Sequence, residues 1–572
     1  MYKKLIKKRL ASSASEFSTA CARARTKYYF LSGISLSSQS DPFFSLISKD
    51  PQFKRNLKIL KEIKCLRATP FTGVEFFIKK YLRNKAKLQS ITFEVSQESR
   101  QKISTSYLFD LFLRLILIRG PAKQIRKLTL SYSEDYFMSN IHYRVCDAIK
   151  AHRNLERFQF NISPLMEPYL AELKIMKKFF VNFARLKELK SLSFELFLLR
   201  DSTICKVLGP YLKKIPSLEN FQINGVLDDH NNNNSGAIMT ILPYLTEVKN
   251  LACLSLNSFN YLSDEFHNPV LISMNKTLIS LTGLKSLEIK IHFYVNKNLV
   301  IEFWSFLAKL SSLETFNASL LLQIITNGCI KALATNLERL EKIKHFSFVI
   351  FGQDGPSSLK EQGFKDLAAT LRKKKFLKYL KIDCPSQLSG SFDSFFEELH
   401  LVPLNTFKFK TSFQKKSEME SLCKFIPKQN SLKSLKLVIN PNGSIPQSIL
   451  NQLKTIISTM KSLENICIII GEAKKRDDLA STLLESLTNL RKMQLKGIFI
   501  DGTEWKKVIQ VIKNTRIEKI IIMGIFDDNV DVDDITLINK QKKFEYVRIT
   551  AIREEKFPFT YEMNDSGLWL TK

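Results

Sequence analysis

Paired cysteines, clustered histidines and long apolar runs are all missing from this chain, and each absence narrows what it can be. Nine cysteines stand singly at Cys21, Cys65, Cys146, Cys205, Cys253, Cys329, Cys384, Cys423 and Cys467, an odd number with no two at metal-ligand spacing. A secreted disulfide framework and a zinc site are therefore not expected, and buried reduced thiols are. The seven histidines, His142, His152, His230, His267, His292, His345 and His400, lie far apart along the chain. Neither a phosphate-cradling glycine-rich lysine loop nor an HExxH or GxSxG pattern occurs. The expectation is a protein that is not an enzyme and holds no cofactor or metal. No apolar stretch reaches the roughly 18–20 residues a membrane span requires. The nearest, residues 107–118, is broken by Asp110 and Arg114.

Acidic residues are scarce as well. Lys and Arg number 87 against 55 Asp and Glu, a formal net charge of +32. Such a balance favours a polyanionic partner, either nucleic acid or an anionic membrane surface; the same charge can also serve solubility alone. Apolar residues at 44% and charged residues at 25% are a globular composition rather than a disordered one. The apolar set is rich in Phe, Leu and Ile, with 43 Phe against 3 Trp. A length of 572 residues suits several ordinary domains or one long repeat array.

The first 40 residues hold one acid, Glu16, and eight bases, Lys3, Lys4, Lys7, Lys8, Arg9, Arg23, Arg25 and Lys27, among many serines. Basic, Ser-rich and acid-poor is the signature of an organelle transit peptide, and the apolar core of a secretory signal is lacking. Residues 1–34 are read as a targeting segment or tail. The destination expected is mitochondrial, with a cytoplasmic or nuclear location as the alternative.

What is present is a repeat. The pattern apolar-x-x-apolar-x-apolar runs Leu189-Lys-Ser-Leu192-Ser-Phe194, returns as Leu284-Lys-Ser-Leu287-Glu-Ile289 and again as Leu432-Lys-Ser-Leu435-Lys-Leu437. Sixteen occurrences start at Leu88, Ile125, Leu155, Leu189, Leu218, Leu251, Leu284, Leu313, Ile343, Leu377, Leu404, Leu432, Leu463, Leu490, Ile517 and Phe544. The gaps run from 27 to 37 residues, and the last three are all 27. The second half of each occurrence alternates with period two, which predicts a short strand with one buried face. Between occurrences the period becomes helical. Phe364, Leu367, Ala368 and Leu371 fall at i, i+3, i+4 and i+7; Ile449, Leu453, Ile456 and Met460, and Leu479, Leu483 and Leu487, follow suit. A strand and a helix every 30 residues or so cannot bury their apolar faces alone; stacked neighbours can.

On these residues the chain resembles the leucine-rich-repeat family, most closely the ribonuclease-inhibitor-like subclass, over residues 88–551. The resemblance implies an α/β solenoid, an open horseshoe or arc of about sixteen repeats, with a concave parallel sheet and convex helices. The family's asparagine or cysteine after the strand is nearly missing. Asn440 fits, but Phe197, Val226, Phe259, Gly471 and Ile498 stand in the equivalent places, so the turns must be satisfied some other way. Residues 35–87 and 552–572 are read as caps covering the two ends of the array. The run His230 to Gly236 reads as a solvated loop. The acidic run Asp527, Asp528, Asp531, Asp533 and Asp534 reads likewise, because it lacks the glycine and closing Glu of a calcium loop. Lys373, Lys374 and Lys375 read as a solvated helix end.

The resemblance also implies that outward strand residues contact partners. The central outward position is neutral or acidic in the first nine repeats, from Thr92 to Ser347. It is then lysine in three consecutive repeats, Lys381, Lys408 and Lys436. Lys410, Lys492, Lys496, Lys519 and Arg548 flank them. These eight residues are the candidate contacts to a partner. The expected function is a non-catalytic scaffold or adaptor within a larger assembly, such as a mitochondrial ribonucleoprotein, binding protein partners and RNA or another polyanion. The alternatives are a substrate-recognition adaptor of a ubiquitin-ligase-type complex and a purely protein-binding subunit of a membrane complex. No short helical box of the kind such adaptors carry is evident in residues 35–87.

Overall fold

A computed structural model describes residues 62–68, 89–95, 112–114, 125–132, 139–162, 177–178, 180–196, 202–226, 236–259, 264–293, 297–322, 326–351, 361–384, 392–411, 416–439, 447–470, 479–526, 546–553, 556–564 and 567–571. They divide into two units, Met1–His292 and Phe293–Lys572. In the N-terminal unit the strands are β1 (Glu62–Ala68), β2 (Ser90–Val95), β3 (Lys127–Tyr132), β4 (Arg157–Ile162), β5 (Ser191–Leu196), β6 (Asn220–Val226), β7 (Cys253–Phe259) and β8 (Ser286–Phe293). Each pairs in parallel with the next.

The C-terminal unit continues with β9 (Thr315–Leu322), β10 (His345–Phe351), β11 (Tyr379–Asp383), β12 (Thr406–Thr411), β13 (Ser434–Ile439), β14 (Asn465–Ile470), β15 (Lys492–Ile500), β16 (Lys519–Phe526) and β17 (Tyr546–Arg553), again parallel in sequence order. β18 (Lys556–Asn564) and β19 (Gly567–Thr571) then run antiparallel. Helices return the chain between most strands, as in Glu361–Arg372 between β10 and β11. This is the leucine-rich-repeat fold. Strands β2 to β17 fall at the sixteen motif occurrences, and β1 is a further parallel strand within residues 35–87. Asn440, Phe197, Gly471 and residues 1–34, 230–235 and 527–545 lie outside the described residues.

The motif explains the local structure. Its first apolar residue seals the turn before the strand, and the next two enter the core from alternate strand positions. Leu432, Leu435 and Leu437 are each at most 1% exposed. The turn itself repeats: Glu464 and Asn465 both donate their N–H to the Lys433 carbonyl, as Lys433 and Ser434 do to that of Asn405. Where the family would place an asparagine ladder after the strand, this chain ties the turns before it. Ser217, Ser431 and Ser462 donate to the carbonyls of Leu189, Leu404 and Leu432 one repeat earlier. Asn250 and Asn489, at the same motif position, donate to Pro216 and Lys461. Backbone carbonyls of the turns before the strands are thus paired by side chains of the next repeat.

Helical stripes face the sheet. Phe364, Leu367, Ala368 and Leu371 are buried, as are Leu479, Leu483 and Leu487. In Gln447–Ser458 the inward residue beside Leu453 is Ile457 rather than Ile456, which is half-buried. Adjacent helices approach closely at Gly209, where a Cβ would overlap the Tyr244 ring. Phenylalanines fill the C-terminal core: Phe409 meets Phe392 edge-on at 5.1 Å and stacks with Phe407 at 5.8 Å, while Phe396 packs on Phe425 at 5.5 Å. One sequence expectation needs correction. Lys374 is not solvated: it is 4% exposed, and its Nζ donates to the Glu338 carbonyl at 2.9 Å. It occupies the inward slot of a short turn, so its stem is packed and its head reaches back to the preceding repeat.

Candidate binding face

Parallel pairing in register turns equivalent repeat positions into rows across the sheet. In the C-terminal unit the central outward row reads Asn317, Ser347, Lys381, Lys408, Lys436, Cys467, Gln494, Ile521 and Arg548. Lys381, Lys408 and Lys436 are therefore direct cross-strand neighbours, about 4.8 Å apart between strands. Their row neighbours at either end, Ser347 and Cys467, are neutral. The next outward row holds Asp383, Lys410, Val438, Ile469, Lys496 and Met523. Lys492 and Lys519 face each other in the row on the other side of the central one. Arg548 is placed in register with Ile521 and, across the antiparallel strand, with Glu562. The structure thus brings seven of the eight candidates onto β11 to β16, with Arg548 one strand beyond.

Their partners differ. Lys410 is paired with Asp383 at 3.3 Å. The Nζ of Lys408 sits 5.1 Å above the Tyr379 ring, a cation–π contact, and among the described residues it forms no ion pair. Among the described residues no ion pair is formed by Lys436, Lys492 or Lys496, and the latter two are exposed. The contrast with the preceding turns is sharp. There several second motif residues of opposite sign meet across adjacent repeats: Arg126 pairs with Glu156 at 3.0 Å, Lys344 with Glu314 at 2.7 Å, and Lys433 with Glu464 at 3.3 Å. These opposite-sign pairs were readable in the sequence and were missed. Like charges stacked directly across a sheet repel, so the ladder is held in place by the fold rather than by its own interactions.

The apolar residues of the same face were also missed. Cys467, Ile469, Ile521 and Met523 are half-buried outward residues on β14 and β16. Burial raises the Cys467 thiol above its ordinary pKa, and the neighbouring Lys436 and Lys408 oppose that shift. The signal was the loss of alternation: β14 reads NICIII and β16 begins KIII. A continuous apolar run describes a strand with both faces covered. At Gly497 the backbone takes φ 81°, in the left-handed region open to glycine, and the pairing of β15 with β16 slips by one residue between Lys496 and Ile498. The bulge sits beside Lys496 on the candidate face.

The N-terminal face is different in kind. Gln222 and Asn257 both donate to the Asn224 carboxamide oxygen, and Ser255 donates to Glu288, which also pairs with Lys290 at 2.7 Å. Its polar groups largely bond one another, although among the described residues Ser193 Oγ and Asn257 Oδ1 have no hydrogen-bond partner. Among the described residues no group of three or more His, Cys, Asp and Glu could hold a metal, and no helix is long and apolar enough to cross a membrane.

No protein family and no curated protein sequence matches the chain. Among solved structures, a chain of the yeast Rad7 and Elc1 complex is similar at 13% identity and a TM-score of 0.35, over 74% of this chain and 86% of that one. A protein from Bacteroides fragilis is similar at 10% identity and a TM-score of 0.29, over 45% of this chain and 73% of that one. Likenesses this distant establish neither a partner nor an activity.

Proposed function

We propose that the chain is a non-catalytic binding scaffold, and that the outward face of β11 to β16 receives an anionic macromolecule. The observation that carries the reading is the in-register ladder Lys381–Lys408–Lys436, with neutral residues at both ends of its row. Like charges stacked directly across a sheet repel, and an anionic partner on this face would relieve that repulsion. The repeat length and full helices also support the ribonuclease-inhibitor-like subclass within the leucine-rich-repeat fold. The basic, serine-rich N-terminus supports a mitochondrial destination.

The test measures binding of two defined polyanions, a single-stranded RNA homopolymer and poly-glutamate, as a function of salt. Replacing Lys381, Lys408 and Lys436 together by Gln is expected to weaken binding. For RNA it should flatten the plot of log affinity against log salt by roughly two to three units, at about 0.7–0.9 per lost contact. Replacing Ser193, Gln222 and Ser255 on the N-terminal face should leave that slope unchanged. Equal slopes for the parent and the triple Gln variant, with both polyanions, would overturn the reading.

A further inference from the structure

We infer that the partner of this face is an acidic polypeptide segment carrying aliphatic side chains, rather than a nucleic acid. The inference rests on the binding reading above and names the partner's chemistry. Two properties of the face, laid side by side by the register, define it.

Charge comes first. From β11 to β13 the central row presents three lysines, and Lys410 beside them already spends its charge on Asp383. Carboxylates are the complementary groups, and phosphates would serve equally on this ground alone. The second property separates the two. From β14 to β16 apolar residues enter the same rows, Cys467 and Ile521 on either side of Gln494 in the central row and Ile469 and Met523 on either side of Lys496 in the next. Lys492 and Lys496, both exposed, stand among these apolar residues on β15. The surface is thus a cationic half continuing into a half where aliphatic side chains and lysines are interspersed.

Nucleic acid has little to offer these aliphatic side chains. Single strands are held by aromatic platforms on which bases stack, alongside the basic groove. Of the outward residues described on β11 to β16, the aromatic one is Tyr379, and its ring is already covered by Lys408. Aliphatic side chains that meet aliphatic side chains, beside charges that meet opposite charges, are instead the chemistry of protein–protein recognition. Six strands from β11 to β16 span five gaps of about 4.8 Å, roughly 24 Å in all. That is the length of about sixteen residues of helix or seven of extended chain.

The test is selection of a random 16-residue peptide display library on the full chain, followed by solution affinities for the enriched peptides. The expected outcome is enrichment of sequences combining Asp or Glu with Leu, Ile or Val. Their affinity should fall at least tenfold with Ile469→Thr/Met523→Gln and also with the triple Lys→Gln variant. The conservative pair Ile469→Val/Met523→Leu should retain binding, which separates contact from folding. RNA homopolymer binding that responds to the lysine changes and ignores Ile469 and Met523, with no acidic–aliphatic peptide enriched, would overturn the inference while leaving the anionic-partner reading standing. Enriched peptides indifferent to the apolar pair would overturn it too. Indifference of every ligand to the lysines would instead overturn the reading beneath it.

Discussion

Substitution of Phe409 tests how far the stability of the C-terminal unit depends on its clustered phenylalanine rings. Phe409 is 1% exposed at the third motif position of β12. Its ring meets Phe392 at 5.1 Å and 89°, Phe396 at 5.2 Å and 65°, and Phe407 at 5.8 Å and 16°. Phe409→Ala removes the ring and leaves a cavity among rigid neighbours, an expected cost of about 3–5 kcal/mol. Phe409→Leu keeps most of the apolar volume and loses chiefly the ring–ring geometry, about 0.5–1.5 kcal/mol per aromatic pair. The expected order is therefore parent, Leu, Ala. Because each repeat touches mainly its sequence neighbours, the loss should be local. Hydrogen exchange should accelerate first in β11 to β13, and urea unfolding followed through the buried Trp304 and Trp505 should shift to lower denaturant. A destabilisation by Phe409→Ala below about 1 kcal/mol, or faster exchange spread evenly into β2 to β8, would refute the reasoning.

Leu435→Asp places an unpaired carboxylate at a site 1% exposed; it should cost several kcal/mol and lower the thermal midpoint, and an unchanged melt would mean that the strand register is wrong. Gly209→Ala should destabilise the N-terminal unit, since the Tyr244 ring occupies the space of the new methyl group; equal urea midpoints would contradict that close approach. Burial pushes the Cys146 thiol up from 9.0 to about 12, against the opposing charge of Lys178. The folded chain therefore keeps a proton that the unfolded chain releases, so this contribution is complete below pH 9 and declines as pH rises toward 12. Cys146→Val should flatten the fall in stability between pH 8.5 and 10.5, read from urea midpoints across the range about that 9.0 value. A tagged chain lacking residues 1–34 should fail to reach mitochondria that the full chain enters, as scored by fractionation; import of the truncated chain would end the targeting proposal.

The repeat was legible because two periods, one of strands and one of helices, recur sixteen times, and stacking is the arrangement that lets both bury their apolar faces. Boundaries were less so. Ile457 rather than Ile456 faces the sheet because a helix turns by 100° per residue, and a pattern with neighbouring isoleucines fits two registers equally well. Lys374 was misread because a lysine stem can fill an apolar slot when its head finds a carbonyl, here that of Glu338. That carbonyl belongs to the preceding repeat, and a local reading of three adjacent lysines does not contain it.

The candidate face shows a related asymmetry. The lysine ladder could be anticipated, since one motif position read down successive repeats becomes one row of the sheet. What the row would meet could not. Asp383 lies two residues beyond Lys381 on β11, yet it pairs with Lys410 on β12. The Tyr379 ring lies under Lys408 of the next strand. Each of these partners comes from the neighbouring repeat, so charge counted along the chain misstates charge on the face. Counted across the sheet, a turn cation such as Lys433 meets a glutamate one strand away, while the central row stacks three lysines before Cys467, Ile469, Ile521 and Met523 bring apolar side chains in among Gln494 and Lys496. Charge alone would have left nucleic acid and protein as equal claimants; the apolar side chains in the same rows are what tip the face toward a polypeptide.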